Sequence, residues 1–252
     1  MTENVQKPKQ LTGDESIISD LIKDLPGQEE VNVKLPSLNK FYSSVKSSKS
    51  VTLRSMTFED EKNIASNKNA NSDIINVLLT RCLSHIDVEE LLLVDKLFLI
   101  MKLREISYGN EYKVNLTCPQ CRKENKVTID LSQLNVRFME EDITNPVELH
   151  LPVLNKLIKV NLPRIRDEAY LQNVDITASN MWRFVEEIDG HTKKTIISGV
   201  LKHLPIKDMH TILGVLNSED YGLDPNVRFA CNYCSHHESV VLPITSDFFT
   251  GN

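Results

Sequence analysis

Two Cys-x-x-Cys pairs, Cys118/Cys121 and Cys231/Cys234, stand 113 residues apart in this chain of 252. Each lies between runs of strand-like alternation, "LTCPQCRKENKVTIDL" at 116–131 and "FACNYCSHHESVVLPI" at 229–244, so each reads as the tip of a β-hairpin. A closed structural zinc site takes four tetrahedral ligands, and one such pair supplies two. Either the fold brings two distant hairpins together, or each pair serves some other purpose.

The spacing recurs beyond the cysteines. Asp95, Tyr108, Gly109, Cys118, Cys121 and Val127 are matched, each 113 positions later, by Asp208, Tyr221, Gly222, Cys231, Cys234 and Val240. Farther upstream "VTLRSMTFEDEKNI" aligns with "IKVNLPRIRDEAYL" after a short slip, setting Asp60-Glu61 over Asp167-Glu168. Scattered helical leucines match by chance, but a shared Tyr-Gly, Cys-x-x-Cys and trailing strand at one offset is the signature of a repeat. The expectation is an α+β protein of two duplicated halves. Each half has short strands, a helical bundle and a Cys-x-x-Cys hairpin, and the halves pair through a zinc-ribbon-like site.

The corresponding boundaries are a flexible tail at 1–32, a first half at 33–134, a connection at 135–146 and a second half at 147–252. Copies related by a pseudo-dyad would present equivalent tips to each other, so that Cys118, Cys121, Cys231 and Cys234 hold one structural zinc ion as a rivet across the chain. Three other readings stay open. A redox dithiol is one, although such pairs normally open a helix that lowers a thiol pKa. Two separate metal sites are another, the second recruiting His236 or His237. Metal-free thiols are the third. The fifth cysteine, Cys82, falls on an apolar helical stretch and reads as a core residue.

Along the chain, Thr12 and Glu15 form a capping-box pattern ahead of Ile17, Ile18, Leu21, Ile22 and Leu25, and Pro26-Gly27 stops the helix. A short amphipathic helix on a loose tail suggests a docking segment, or one that folds back on its own domain. "VKLPSLNKFY" at 33–42 reads as extended and "VTLRSM" as a strand. "TFEDEKNIAS", "SDIINVLLTRCLS" and the long apolar segment from Asp87 to Ser107 read as helices, the last ended by Gly109. Two strands are expected around Leu154-Asn155, followed by helical periods in "RIRDEAYLQN", "ASNMWRFVEEIDG", "KKTIISGVLKHL" and "IKDMHTILGVLNSEDYG".

Composition narrows the function. A net charge of −6 gives no general field for polyanions, and 40% apolar residues suffice for a core. No secretory leader or spanning segment is visible, which predicts a soluble intracellular protein without a membrane partner. None of the eight glycines falls in a phosphate-binding or nucleophile-elbow motif, and no HExxH occurs, so no catalytic or cofactor-binding residue is nominated and a small-molecule substrate is not expected. The alternative function is a nucleic-acid-binding zinc ribbon. "CRKENK" and Lys113 are locally basic, but no aromatic row lines either hairpin.

The segments "LPSLNKFY", "VTLRSMTFEDE" and "DKLFLIMKLREISYGNEYKVNLTCPQC", followed more loosely by "EIDG", a second "YG" and "CNYC", resemble the baseplate hub proteins of contractile-tailed bacteriophages of the T-even type. Asn39 stands where the family pattern has glycine, a mild departure because asparagine also tolerates a left-handed backbone. The resemblance implies a non-enzymatic viral protein of the baseplate hub, either a hub subunit or a hub assembly factor. Its partners would be other hub proteins. It would work in the host cytoplasm during assembly, and a subunit would remain in the virion.

Overall fold

The computed structural model describes residues 13–23, 30–42, 51–66, 72–217, 220–244 and 246–249. Helix α1 (Gly13–Lys23) comes first, with Ile17, Ile18 and Leu21 exposed. The Thr12 cap and the Leu25-Pro26-Gly27 stop lie outside the described residues. Strands β1 (Glu30–Val33), β2 (Val51–Arg54) and β3 (Leu83–Ser84) form an antiparallel sheet in that order, enclosing helices α2 (Phe58–Ala65) and α3 (Ser72–Cys82) in sequence. The first strand begins inside the stretch expected to be tail, because Val31 and Val33 pair with Leu53 and Val51 across a mostly apolar register.

Thr57 starts α2 with a capping box: its hydroxyl accepts from Asp60 N, and the Asp60 carboxylate accepts from Thr57 N at 3.0 Å. Asp60 also accepts from Arg54 at 2.8 Å and from Arg81 at 2.6 Å, tying strand and both helices together. Burial alone would raise the Asp60 carboxyl, but these donors outweigh it and hold it well below the usual carboxylate range. Helix α4 (Leu93–Tyr108) is buried around much of its circumference, as its apolar sequence predicts. It starts later than the pattern from Asp87 suggests, because Asp87 caps a separate 3-10 turn at Val88–Glu90.

The hairpin β4 (Glu111–Thr117) and β5 (Glu124–Asp130) follows, then the short strand β6 (Val136–Arg137). Strands β7 (Val147–His150), β8 (Leu157–Val160) and β9 (Val185–Ile188) make a second antiparallel three-stranded sheet, with α5 (Val174–Asn180) between β8 and β9. Here the sequence expectation is corrected. Residues 178–190 are not one helix: α5 ends at Asn180, a 3-10 turn covers Met181–Arg183, and Val185 and Ile188 pair with Val160 and Ile158 of β8. Residues 165–170 form a 3-10 segment rather than a full α-helix. Helices α6 (Lys194–Leu201) and α7 (Ile206–Asn217) then lead to β10 (Gly222–Leu223) and to the hairpin β11 (Asn226–Ala230) and β12 (His237–Val241).

One apolar cluster runs from Leu35, Leu53 and Leu99 through Ile158, Ile197 and Ile212, so the two sheets and their helices share a core. A backbone seam adds to it, with Ile165 N donating to Leu91 O at 2.8 Å and Leu93 N to Pro163 O at 3.0 Å. Lys96 and Glu168 pair across the same seam at 2.6 Å. The connection 135–146 is also tied down, because β6 pairs with β10 and Met139 N donates to Pro36 O.

Two buried carboxylates organise the turns. Asp95 on α4 accepts from Ser37 N at 2.9 Å, from the Ser37 hydroxyl at 2.5 Å and from the Tyr42 hydroxyl, which itself accepts from Leu92 N. Residues 34–42, expected as extended chain, therefore bend through left-handed Leu38 and Asn39. Asp208 on α7 accepts from Val153 N at 2.8 Å and Leu154 N at 2.9 Å, closing the turn that ends at left-handed Asn155.

Candidate metal centre

Each Cys-x-x-Cys pair caps its hairpin through the same backbone arrangement. In the first, Arg122 N donates to Cys118 O at 2.8 Å and Cys118 N to Lys123 O at 3.0 Å. In the second, Ser235 N donates to Cys231 O at 3.1 Å and Cys231 N to His236 O at 2.9 Å. The residue after the second cysteine is left-handed in both, with φ of +58° at Arg122 and +55° at Ser235. This tight turn directs both sulfurs of a pair to one side, as a knuckle requires.

The two knuckles meet. Cys118 Sγ lies 3.7 Å from Cys234 Sγ, and Cys121 Sγ lies 3.6 Å from Cys231 Sγ. All four ligand atoms fall within 4.8 Å of one another. Tetrahedral coordination at about 2.3 Å from metal to sulfur requires sulfurs roughly 3.8 Å apart, whereas a disulfide would bring two of them to about 2.05 Å. The cysteines are free thiols at metal-ligand spacing, and the donor set suits a metal ion such as zinc. A satellite apolar cluster packs around Cys118, Cys121 and Cys231, with Phe229 buried and Leu116, Val127 and Val240 partly buried, while Cys234 is exposed.

Asn125 joins the knuckles. Its Oδ1 accepts from Asn232 N at 2.9 Å and its Nδ2 donates toward Cys231 Sγ at 3.6 Å. The position after the first cysteine of the other knuckle is Pro119, which has no N–H, so no mirror contact can form. The thiols are correspondingly unequal. Burial would raise Cys231, but the amides of Tyr233 and Cys234, with Cys121 and Asn125, bring it down to about 6. Cys234 receives the His236 amide, yet burial and the three neighbouring sulfurs push it up to about 12. Four sulfurs this close resist carrying four charges unless a cation sits among them.

His236 and His237 do not join this group of ligands; His236 Nε2 lies 3.9 Å from Glu238 instead. Neither pair opens a helix, so the feature that activates redox dithiols is missing from their surroundings. Tyr112 and Phe229 of the hairpins are buried. The exposed Tyr233 ring lies under Lys123 Nζ at 4.7 Å, which leaves no row of open rings for stacking bases. Cys82 lies in the main core, where burial raises its thiol to about 11. Asn125 escapes sequence reasoning, although a signal existed: it occupies an inward register position of β5, in line with Val127 and Ile129.

Among the described residues no helix is long and apolar enough to cross a membrane. The fold is thus an α+β chain whose two knuckle hairpins bring together four thiols that could hold a metal ion such as zinc. The model of one family, T4 bacteriophage base plate protein, matches residues 28–250, and the chain belongs to that family. No curated protein and no solved structure matches it.

Proposed function

We propose that this protein is a structural or assembly component of the contractile-tail baseplate hub, acting through contacts with other hub proteins, and that one zinc ion at Cys118, Cys121, Cys231 and Cys234 fastens two copies of a duplicated unit. Family membership supports the baseplate role. The observation that carries the metal reading is the convergence of sulfurs from hairpins more than a hundred residues apart at 3.6 and 3.7 Å. Bound there, zinc would supply a closed tetrahedral cross-link and no open coordination position for chemistry.

Four correspondences support the duplication over 33–134 and 147–252. A three-stranded antiparallel sheet precedes each knuckle hairpin, the first sheet opening at Glu30, just ahead of its half. Asp95 and Asp208, paired by the 113-residue offset, both accept backbone amides from a turn more than fifty residues earlier. Asp60 and Asp167 both accept the N–H three residues before them. Both knuckles place a left-handed residue after the second cysteine.

Elemental analysis of purified protein should find one zinc per chain; two would favour separate sites, and none would return the thiols to the metal-free reading. Electron microscopy of baseplates assembled in cells lacking this protein should show a defective hub. Normal hubs under those conditions would overturn the hub assignment. Mass spectrometry of purified virions separates a resident subunit from an assembly factor that leaves.

A further inference from the structure

We infer that the protein self-associates by laying α1 of one copy into an apolar, base-rimmed groove beside α6 of a second copy. The first half of the match is the helix. Ile17, Ile18 and Leu21 share a face at helical spacing and are 60, 53 and 69% exposed. The same helix carries Asp14, Glu15 and Asp20 against a single Lys23, so it is both apolar and acidic.

The second half is a groove of about 540 Å³ walled by Leu154, Ile196, Val200 and Leu204, with Gly199 on the same side of α6. Among the described residues no carboxylate lines it. Lys193 and Lys202, one helical turn before Ile196 and one after Gly199, are both exposed, and His203 joins the lining. A Cβ built on Gly199 would meet nothing within 4 Å, so the missing side chain leaves room that the other described residues do not fill.

Charge separates this groove from the apolar depression between α2 and α3. That depression, around Ile64, Ile74 and Val77, has Asp73 in its lining, and its Arg81 is already engaged with Asp60, so it offers an acidic helix no excess of positive charge. The α6 groove offers the opposite sign. The choice of a second copy follows from the single chain, in which Ile17, Ile18 and Leu21 of α1 stand in solvent and the groove is open among the described residues. Each molecule therefore carries both members of a complementary pair, the arrangement of a heterologous contact. A helix of this length buries little area, so association belongs in the weak, concentration-dependent range, strengthened where two copies exchange helices and make the contact twice.

The test is sedimentation velocity of the full chain over a range of concentrations and at two salt concentrations, with two variants. Leu21→Asp spoils the helix face at a site outside the core. Gly199→Leu fills the groove while replacing glycine by a better helix former, so its fold is no weaker. The wild type should associate, less so in high salt, and each variant should raise the dissociation constant about tenfold or more. Mixing the variants should restore hetero-association, since an intact helix from one meets an intact groove from the other. A wild type that stays monomeric overturns the inference, whether or not Leu21→Asp changes its melting temperature. Variants that associate as well as the wild type also overturn it. None of these outcomes bears on the zinc content.

Discussion

Asn125 on one hairpin accepts a hydrogen bond at 2.9 Å from the backbone of Asn232 on the other, 107 residues away, and its amide donates toward Cys231 Sγ. The residue is 1% exposed, so loss of its side chain leaves Asn232 N without its acceptor and the Cys231 sulfur without its donor. Asn125→Val keeps a strand-forming residue yet should cost about 1–3 kcal/mol of stability. Groups that orient metal ligands typically contribute about 10–100-fold in affinity, so zinc competition against a chromophoric chelator should show a loss in that range. Unchanged affinity would mean that the knuckles position themselves.

Metal removal should act locally. The sulfurs and Phe229 belong to a small cluster, whereas Tyr112 and Ile129 at the hairpin base belong to the main core. Chelation is expected to raise amide hydrogen exchange at 116–125 and 229–238 while α4 and β8 stay protected. Global loss of protection would show that the ion supports the whole fold.

Two carboxylates give stability opposite slopes with pH. Asp95 is fully buried, and burial raises its carboxyl from the ordinary 3.8 to about 6 despite donation from Ser37 and Tyr42. Its folded form holds the proton more tightly than the unfolded chain, so stability should fall as pH rises between about 4 and 6, by about 3 kcal/mol. Asp60 is held low by its arginines, and its contribution is present above about pH 4 and lost as pH falls through the acid range. Urea unfolding from pH 3 to 7 should show both slopes, and Asp95→Asn should abolish only the upper one. An unaltered upper slope in that variant would assign the titration elsewhere.

Gly222 tests how closely β10 packs against α4. It has φ of +97°, and a Cβ there would lie 2.6 Å from Val94 Cγ2 on α4. Gly222→Ala should destabilise by about 2 kcal/mol or more in thermal or denaturant melts. Adding Val94→Ala should recover the steric part and leave the backbone strain. A neutral single substitution would show that β10 can move away from α4.

The parts legible in the sequence are those fixed by local chemistry. Thr57 and Asp60 announce the start of α2, the alternation around each cysteine pair gives the hairpins, and Asn155 falls in the turn between β7 and β8. What sequence reasoning missed is set by distant partners. Val185–Ile188 lies within a helical pattern but pairs with β8, since the ladder and the burial of Val185 and Ile188 outweigh propensity. The bend at Leu38 and Asn39 exists because Asp95, 58 residues later than Ser37, receives its amide. At the site, the four cysteines are visible as a spacing, while Asn125 is visible only as a polar residue in an inward position.

The seam between Leu91–Leu93 and Pro163–Ile165 forms once 165 residues exist, but the sulfur cluster joins positions 110 residues apart, Cys121 to Cys231. At ribosomal speeds of about 5–20 residues per second, the first thiol pair waits roughly 5–20 s for the second to be synthesised. During that interval the nascent chain can fold most of its core while its sulfurs remain open to oxidants or to competing ions. Closing the cluster therefore comes later in synthesis than closing the seam.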